Sequence, residues 1–248
     1  MTAPISRAAE LAGRLEAVHA RISAASDRAG RLEEPRLIVV TKYFPASDVG
    51  LLHSLGIRDV GENRDQEASG KASGTSALSG LRWHFIGQLQ TNKARSVARY
   101  AYAVHSVDRL SLVHALDKAV IAEQERARAD GAAPRAPLGC YLQIELGGSP
   151  SGPGRGGAQP GDVPRLADAV DQAAGLELRG VMAVAPVGID PAVPFAQLAE
   201  ISAQLTADHP AATEVSAGMS GDLEAAIGAG ATHLRIGSDV LGQRPPVR

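Results

Sequence analysis

Aromatic side chains are scarce in this chain: one Trp, four Tyr and three Phe, 3% of 248 residues. A core must then come from Ala, Val, Leu and Ile. Cysteine is nearly missing, and a lone Cys140 excludes an intramolecular disulfide and with it a stapled secreted scaffold. No run approaches the roughly 20 apolar residues of a membrane span. The opening MTAPISRAAELAGRLEAVHARI has the spacing of an amphipathic helix and lacks the apolar core of a signal peptide. An excess of charge is also lacking: 25 Lys+Arg against 27 Asp+Glu give a net −2, which argues against nucleic-acid binding by bulk charge. The seven histidines form no pair at metal-ligand spacing, so no metal is assigned. With 44% hydrophobic and 21% charged residues, the expectation is a globular, cytoplasmic protein that binds neither membrane nor nucleic acid.

What is present is an alternation. Leu11, Leu15, Val18 and Ile22 put one apolar stripe on a helix from about 4 to 29. Leu37 to Thr41 is a β-branched run without alternation, the mark of a strand buried on both faces. Ser47 and Asp48 are candidate caps for the helix that follows, and Gly56 ends it. Further strands are expected at 57–60, 83–86, 103–106, 138–146, 178–184, 213–217 and 233–236. Helices are expected between them at 62–73, 91–99, 108–129, 162–174, 191–207 and 222–229. Eight βα units after an extra N-terminal helix fit one (β/α)8 TIM-type barrel spanning 1–248, with a doubly wound sheet as the alternative. The Gly147–Gly161 stretch, almost all Gly, Pro and Ser, reads as a loop after the fifth strand.

In such a barrel ligands bind where the strands exit. The exits carry Lys42, Asn63, His84, Ser106, Met182, Ser216 and Arg235-Ile236-Gly237-Ser238. A lysine at a strand exit either snorkels to solvent or, partly desolvated, becomes a better nucleophile. Glycines and hydroxyls after the seventh and eighth strands can cradle a phosphate, or merely form tight turns with Ser220 capping the next helix. Asn63 could cap a helix, and His84 could be a packed histidine. Gly152, Gly154 and Gly157 match GxGxxG, but the match lies beyond its strand in a glycine-rich loop and opens no helix, so it is compositional. Gly218-Met219-Ser220-Gly221 is one residue short of a nucleophile elbow.

Six segments occur in a familiar order: VVTKYFP (39–45), GENRDQE (61–67), WHFIGQLQTNK (83–93), HSVD (105–108), LRGVMAVAP (178–186) and SAGMSGDLEAAIGAGATHLRIGS (216–238). They resemble the pyridoxal phosphate homeostasis proteins, whose fold is like the N-terminal barrel of alanine racemase. The resemblance implies that Lys42 holds pyridoxal 5′-phosphate (PLP) as an aldimine. It implies too that Ser216, Gly237 and Ser238 hold the phosphate, that Arg235 faces the pyridine nitrogen and that Asn63 lies beside the ring. A guanidinium stays protonated, so Arg235 would disfavour a protonated ring nitrogen and weaken PLP as an electron sink. The loop after the fifth strand lacks the family's usual Lys-x-Gly element. Ser238 stands for a frequent Thr, and Asp239 brings a negative charge near the phosphate that the resemblance implies.

The resemblance implies a non-catalytic PLP carrier in vitamin B6 and amino-acid balance, a monomer, with apo PLP-dependent enzymes as candidate recipients. The alternatives are a PLP-dependent racemase or lyase and, from the residues alone, a barrel enzyme acting on a phosphorylated metabolite. In the racemase the second base is a tyrosine of a separate β-domain of the partner subunit. The chain runs only about ten residues past its eighth strand, so that domain is not expected here.

Overall fold

The computed structural model describes residues 6–147 and 156–243. Helix α1 (Arg7–Arg28) opens on Ser6, whose hydroxyl accepts the Ala9 N–H at 3.3 Å. The eight strands are β1 (Arg36–Val40), β2 (Asp59–Glu62), β3 (Arg82–Phe85), β4 (Ala101–Val107), β5 (Leu138–Gln143), β6 (Leu176–Met182), β7 (Glu214–Ser216) and β8 (His233–Ile236). Between them lie α2 (Ala46–Ser54), α3 (Asp65–Gly74), α4 (Ala94–Tyr100), α5 (Leu110–Ala129), α6 (Val163–Asp171), α7 (Ala192–Asp208) and α8 (Leu223–Gly228), and α9 (Ser238–Leu241) follows β8. All the strands pair in parallel in chain order, and β8 closes on β1 with Ile38 opposite Arg235. This is the expected (β/α)8 barrel, and α1 is the extra helix, packed on α8 and α9.

Strand alternation divides the interior in two. Leu37, Val39, Val60, Trp83, Phe85, Val104, Cys140, Leu142, Val215, Leu234 and Ile236 belong to the apolar layer between strands and helices. Burial pushes the Cys140 thiol up to about 12, so it packs as a small apolar group. The intervening positions turn inward, where TIM barrels are ordinarily filled with branched aliphatic side chains. Here they include Asp59, His84, His105, Tyr141, Ser216, His233 and Arg235, all buried. The reading of 37–41 as a strand buried on both faces holds for β1, whereas most of the other strands turn a polar side chain inward. In strands of three to seven residues, one polar side chain among apolar neighbours hardly disturbs the local pattern.

Four expected caps are not caps: Ser47 and Asp48 both lie inside α2, which follows Pro45 and has no side-chain cap. Asp48 is buried and accepts two hydrogen bonds from Arg7, at 2.7 and 3.3 Å, tying α2 to α1. Arg64, not Asn63, precedes α3 and makes no side-chain cap. Near α8 the Asp222 carboxylate takes the Met219 N–H at 2.6 Å, which leaves Ser220 to pair with Ser238.

Candidate functional site

At the strand exits, a cavity of about 230 Å³ lies against the seam between β1 and β8. Lys42 and Arg235 line it, together with Gly237 and Ser238 at the first turn of α9 and Met219, Ser220 and Gly221 after β7. Val40, Phe44 and Ile86 supply apolar wall. Its volume is below the roughly 300–1,000 Å³ of drug-sized sites and suits one small ring rather than a dinucleotide. Amine, guanidinium and hydroxyl groups give it donors for an anionic ligand. The Ser220 and Ser238 hydroxyls lie 3.2 Å apart, forming a polar patch in that lining. Gly218 has φ +89°, and a Cβ there would meet Ala226 at 2.7 Å, so the turn into Met219 requires glycine.

The backbone around Lys42 is held by ionic groups. Buried Lys71 of α3 donates to the Thr41 carbonyl at 2.8 Å, to Glu62 at 2.7 Å and to Glu67 at 2.6 Å. The Thr41 hydroxyl donates to the same Glu62 oxygen at 2.7 Å, and Glu67 accepts the Tyr43 N–H at 2.8 Å. Tyr43 sits at φ +72°, a left-handed conformation that costs a non-glycine residue about 1–3 kcal/mol and persists only where its surroundings impose it. The clamp thus fixes the residues on both sides of Lys42. Burial raises the Glu62 carboxyl above its usual range, opposed by the hydrogen bonds from Lys71 and Thr41.

Behind Arg235 runs a different network. Its guanidinium donates to the Ser216 hydroxyl at 2.7 Å and to the Ala183 carbonyl at 2.8 Å. Ser216 meets His105 Nδ1 at 2.9 Å, His105 Nε2 meets His84 Nδ1 at 2.9 Å, and His84 Nε2 meets Asp59 at 2.8 Å. At the opposite end of the barrel from the cavity, Arg82 grips both Asp59 oxygens, at 2.7 and 2.5 Å. Burial lowers Arg235 to about 10, still far above neutrality, so the guanidinium is charged. Burial also holds both histidines below their ordinary value, His105 well below. Hydrogen bonds from His84 and Arg82 outweigh burial at Asp59 and keep its carboxyl well below the usual carboxylate range.

Residues 14–245 match the family described as alanine racemase, N-terminal domain. The chain is 42% identical over 245 residues to the pyridoxal phosphate homeostasis protein of Mycobacterium leprae, covering 95% of this chain and 93% of that one. The Escherichia coli K12 protein of the same name is 36% identical, over 95% of this chain and 97% of that one. This chain belongs to the pyridoxal phosphate homeostasis protein family. Among solved structures, PipY of Synechococcus elongatus with PLP bound superposes with a TM-score of 0.75 at 29% identity, covering 94% of this chain and 100% of that one. Alanine racemase from Corynebacterium glutamicum, 10% identical with a TM-score of 0.65 over 96% of this chain and 63% of that one, shares the fold alone.

Against this family background, the residues singled out from sequence fall into two groups. Lys42, Arg235, Gly237 and Ser238 line one cavity. Ser216 stands behind it, fully buried and bonded to Arg235 and His105. Asn63 lines a separate depression with Gln88, Lys93 and Arg109, and its Oδ1 is buried with no hydrogen-bond partner among the described residues. A Cβ on Gly87 would fall 2.2 Å from the Asn63 carbonyl oxygen, so only glycine permits this approach. The Asp239 charge is turned toward α1, paired with Arg21 at 2.6 Å. His84 and Met182 lie in the barrel interior, and Ser106 is buried with no partner for its hydroxyl among the described residues. Of the rejected GxGxxG, Gly152 and Gly154 fall outside the described residues. The clamp residues Glu62, Glu67 and Lys71 and the column residues Asp59 and His105 were missed. Only the Glu67–Lys71 spacing of four left a signal, as a helical ion pair.

Proposed function

We propose that the whole chain works as one PLP-binding barrel in the cytoplasm, a monomeric carrier that holds PLP reversibly for intracellular vitamin B6 and amino-acid homeostasis. The observation that carries this reading is the cavity with Lys42, Arg235 and the Gly237–Ser238 turn in its lining. An amine, a charged donor with no carboxylate partner among the described residues, and a small-residue turn whose Ser238 hydroxyl lies beside that of Ser220 fit an aldehyde, a ring nitrogen and a phosphate. The names of the relatives and PLP in PipY support the same reading.

When bound, PLP supplies an aldehyde that condenses with a primary amine, and Lys42 is the amine that would hold it as an imine. Gly237 and Ser238 would hold the phosphate, with Ser216 acting through Arg235. Arg235 would donate to the ring nitrogen and so oppose its protonation. Asn63 would lie beside the ring. Racemisation or lysis needs acid/base groups placed around Cα. Among the described residues lining the cavity there is no tyrosine, histidine or carboxylate, and Lys42 is the single amine. This supports a holder over a catalyst, with apo PLP-dependent enzymes as the recipients.

Mixing the protein with PLP should give a visible chromophore that borohydride bleaches, and peptide mapping should place the pyridoxyl group on Lys42. Lys42→Ala should abolish the chromophore and leave the thermal midpoint within a few degrees, because a half-buried rim lysine contributes little packing. Label on Lys71, Lys93 or Lys118 would overturn the assignment. Rapid deuterium exchange at Cα of D- or L-alanine, lost in Lys42→Ala, would make the chain a racemase or lyase instead.

A further inference from the structure

We propose that Asp59, His84 and His105 are positioning residues for Arg235: a hydrogen-bond chain through the barrel interior, with all its hydrogens pointing one way, from Arg235 toward Asp59. Both ends of the chain are chemically fixed. A guanidinium only donates, and an ionised carboxylate already gripped by Arg82 only accepts. Between them, each link has a single consistent assignment with both rings neutral. Arg235 donates to Ser216 Oγ, the Ser216 hydroxyl donates to His105 Nδ1, His105 Nε2–H donates to His84 Nδ1, and His84 Nε2–H donates to Asp59. Reversing the histidines would aim a bare ring nitrogen at the carboxylate, or require a charge on a fully buried imidazole.

The rings are also held against rotation. His105 stacks on Tyr141 with centroids 4.0 Å apart and 15° between planes, and His84 packs edge-on to Tyr102 at 5.5 Å. Tyr141 is in turn fixed by a hydrogen bond from its hydroxyl to Glu214. The aligned dipoles let the Asp59 charge polarise the acceptor at Ser216, because hydrogen bonds in series reinforce each other in a low-dielectric interior. Arg235 is thereby oriented by neutral atoms, Ser216 Oγ and the Ala183 carbonyl, and among the described residues no directly bound carboxylate neutralises it. What Arg235 meets in the cavity follows the reading above, whereas the chain itself is measurable with no ligand present.

Ring-¹⁵N NMR of the full chain, assigned with His84→Gln and His105→Phe, should find both histidines neutral and Nε2-protonated at pH 7. A charged or Nδ1-protonated ring at either position would overturn the proposal. Asp59→Asn should shift the ring resonances of His105, which Asp59 does not touch, and an unmoved His105 would mean that the links are uncoupled. If Asp59→Asn fails to fold, Ser216→Ala probes from the other end. It should move the resonances of His84, and a fixed His84 overturns the proposal equally. In protein that binds PLP, Asp59→Asn should weaken PLP and pyridoxal alike by about ten-fold, since Arg235 addresses the ring, and unchanged affinity would break the link to Arg235. Failure to bind any PLP would instead strike the carrier reading and leave the NMR result standing.

Discussion

Lys42 and Arg235 line one cavity, but the supports behind them differ. Behind Lys42, one ammonium meets two carboxylates, Glu62 and Glu67, within 2.7 Å. Behind Arg235, two neutral rings and a hydroxyl separate the guanidinium from Asp59. The two jobs explain the difference. The clamp must force a backbone into a left-handed turn at Tyr43, which calls for strong bonds to main-chain atoms. The column must orient a cation without cancelling its charge, which calls for neutral acceptors.

The contrast can be broken from either side. Lys71→Met leaves two acidic groups with no counter-charge and should cost about 3–5 kcal/mol in urea unfolding. The deficit should shrink as pH falls and Glu62 takes up a proton, since that carboxyl is already raised by burial. A loss under 1 kcal/mol at every pH would show that the clamp is not a buried ionic network. At the cavity, Gly237→Asp should remove phosphate contacts that contribute about 1.5–3 kcal/mol each when charge-assisted. PLP should therefore weaken far more than pyridoxal in a fluorescence titration, and equal loss would indicate a collapsed site.

The column should announce itself in acid. His84 and His105 are depressed in the folded protein, so below about pH 6.5 the unfolded chain binds protons that the folded chain refuses. Stability is then fully present above that pH and falls as pH drops, by up to about 1.4 kcal/mol per unit per histidine. Urea midpoints at pH 7, 6 and 5 should show a slope that His105→Gln reduces, whereas a parallel shift would count against the buried neutral rings. The smallest effect belongs to Asp239→Asn, which breaks a partly exposed pair with Arg21. Such pairs are worth about 0–1 kcal/mol, and PLP affinity should hardly change. A large gain in affinity would mean that the Asp239 charge does reach the phosphate.

Much of the barrel was readable because the helix stripes follow one period and β1 carries an unbroken apolar run. The exits named Lys42, Arg235, Gly237 and Ser238, which the fold gathers around one cavity. The column was not readable, because its members come from β2, β3, β4, β7 and β8 and meet only when the barrel closes. Ser216 was placed at an exit on position alone, and the side chain turns inward because period-two alternation puts it on the same face as Glu214. Asp48 read as a cap from its residue type, and its carboxylate instead pairs with an arginine 41 residues earlier.

The cavity stands where the first and last strands meet, and α1 reinforces that junction from outside. Arg7 reaches Asp48 on α2 and the Leu241 carbonyl on α9, while Arg21 grips Asp239 and Glu224. One wall comes from Val40, Lys42, Phe44 and Ile86 and the other from residues 219–242, so the cavity exists only once β1 and β8 have paired. Building the pocket therefore requires closing the ring. A molecule bound there would act as a rivet across the seam, stabilising the closed ring in proportion to the logarithm of its free concentration over its dissociation constant.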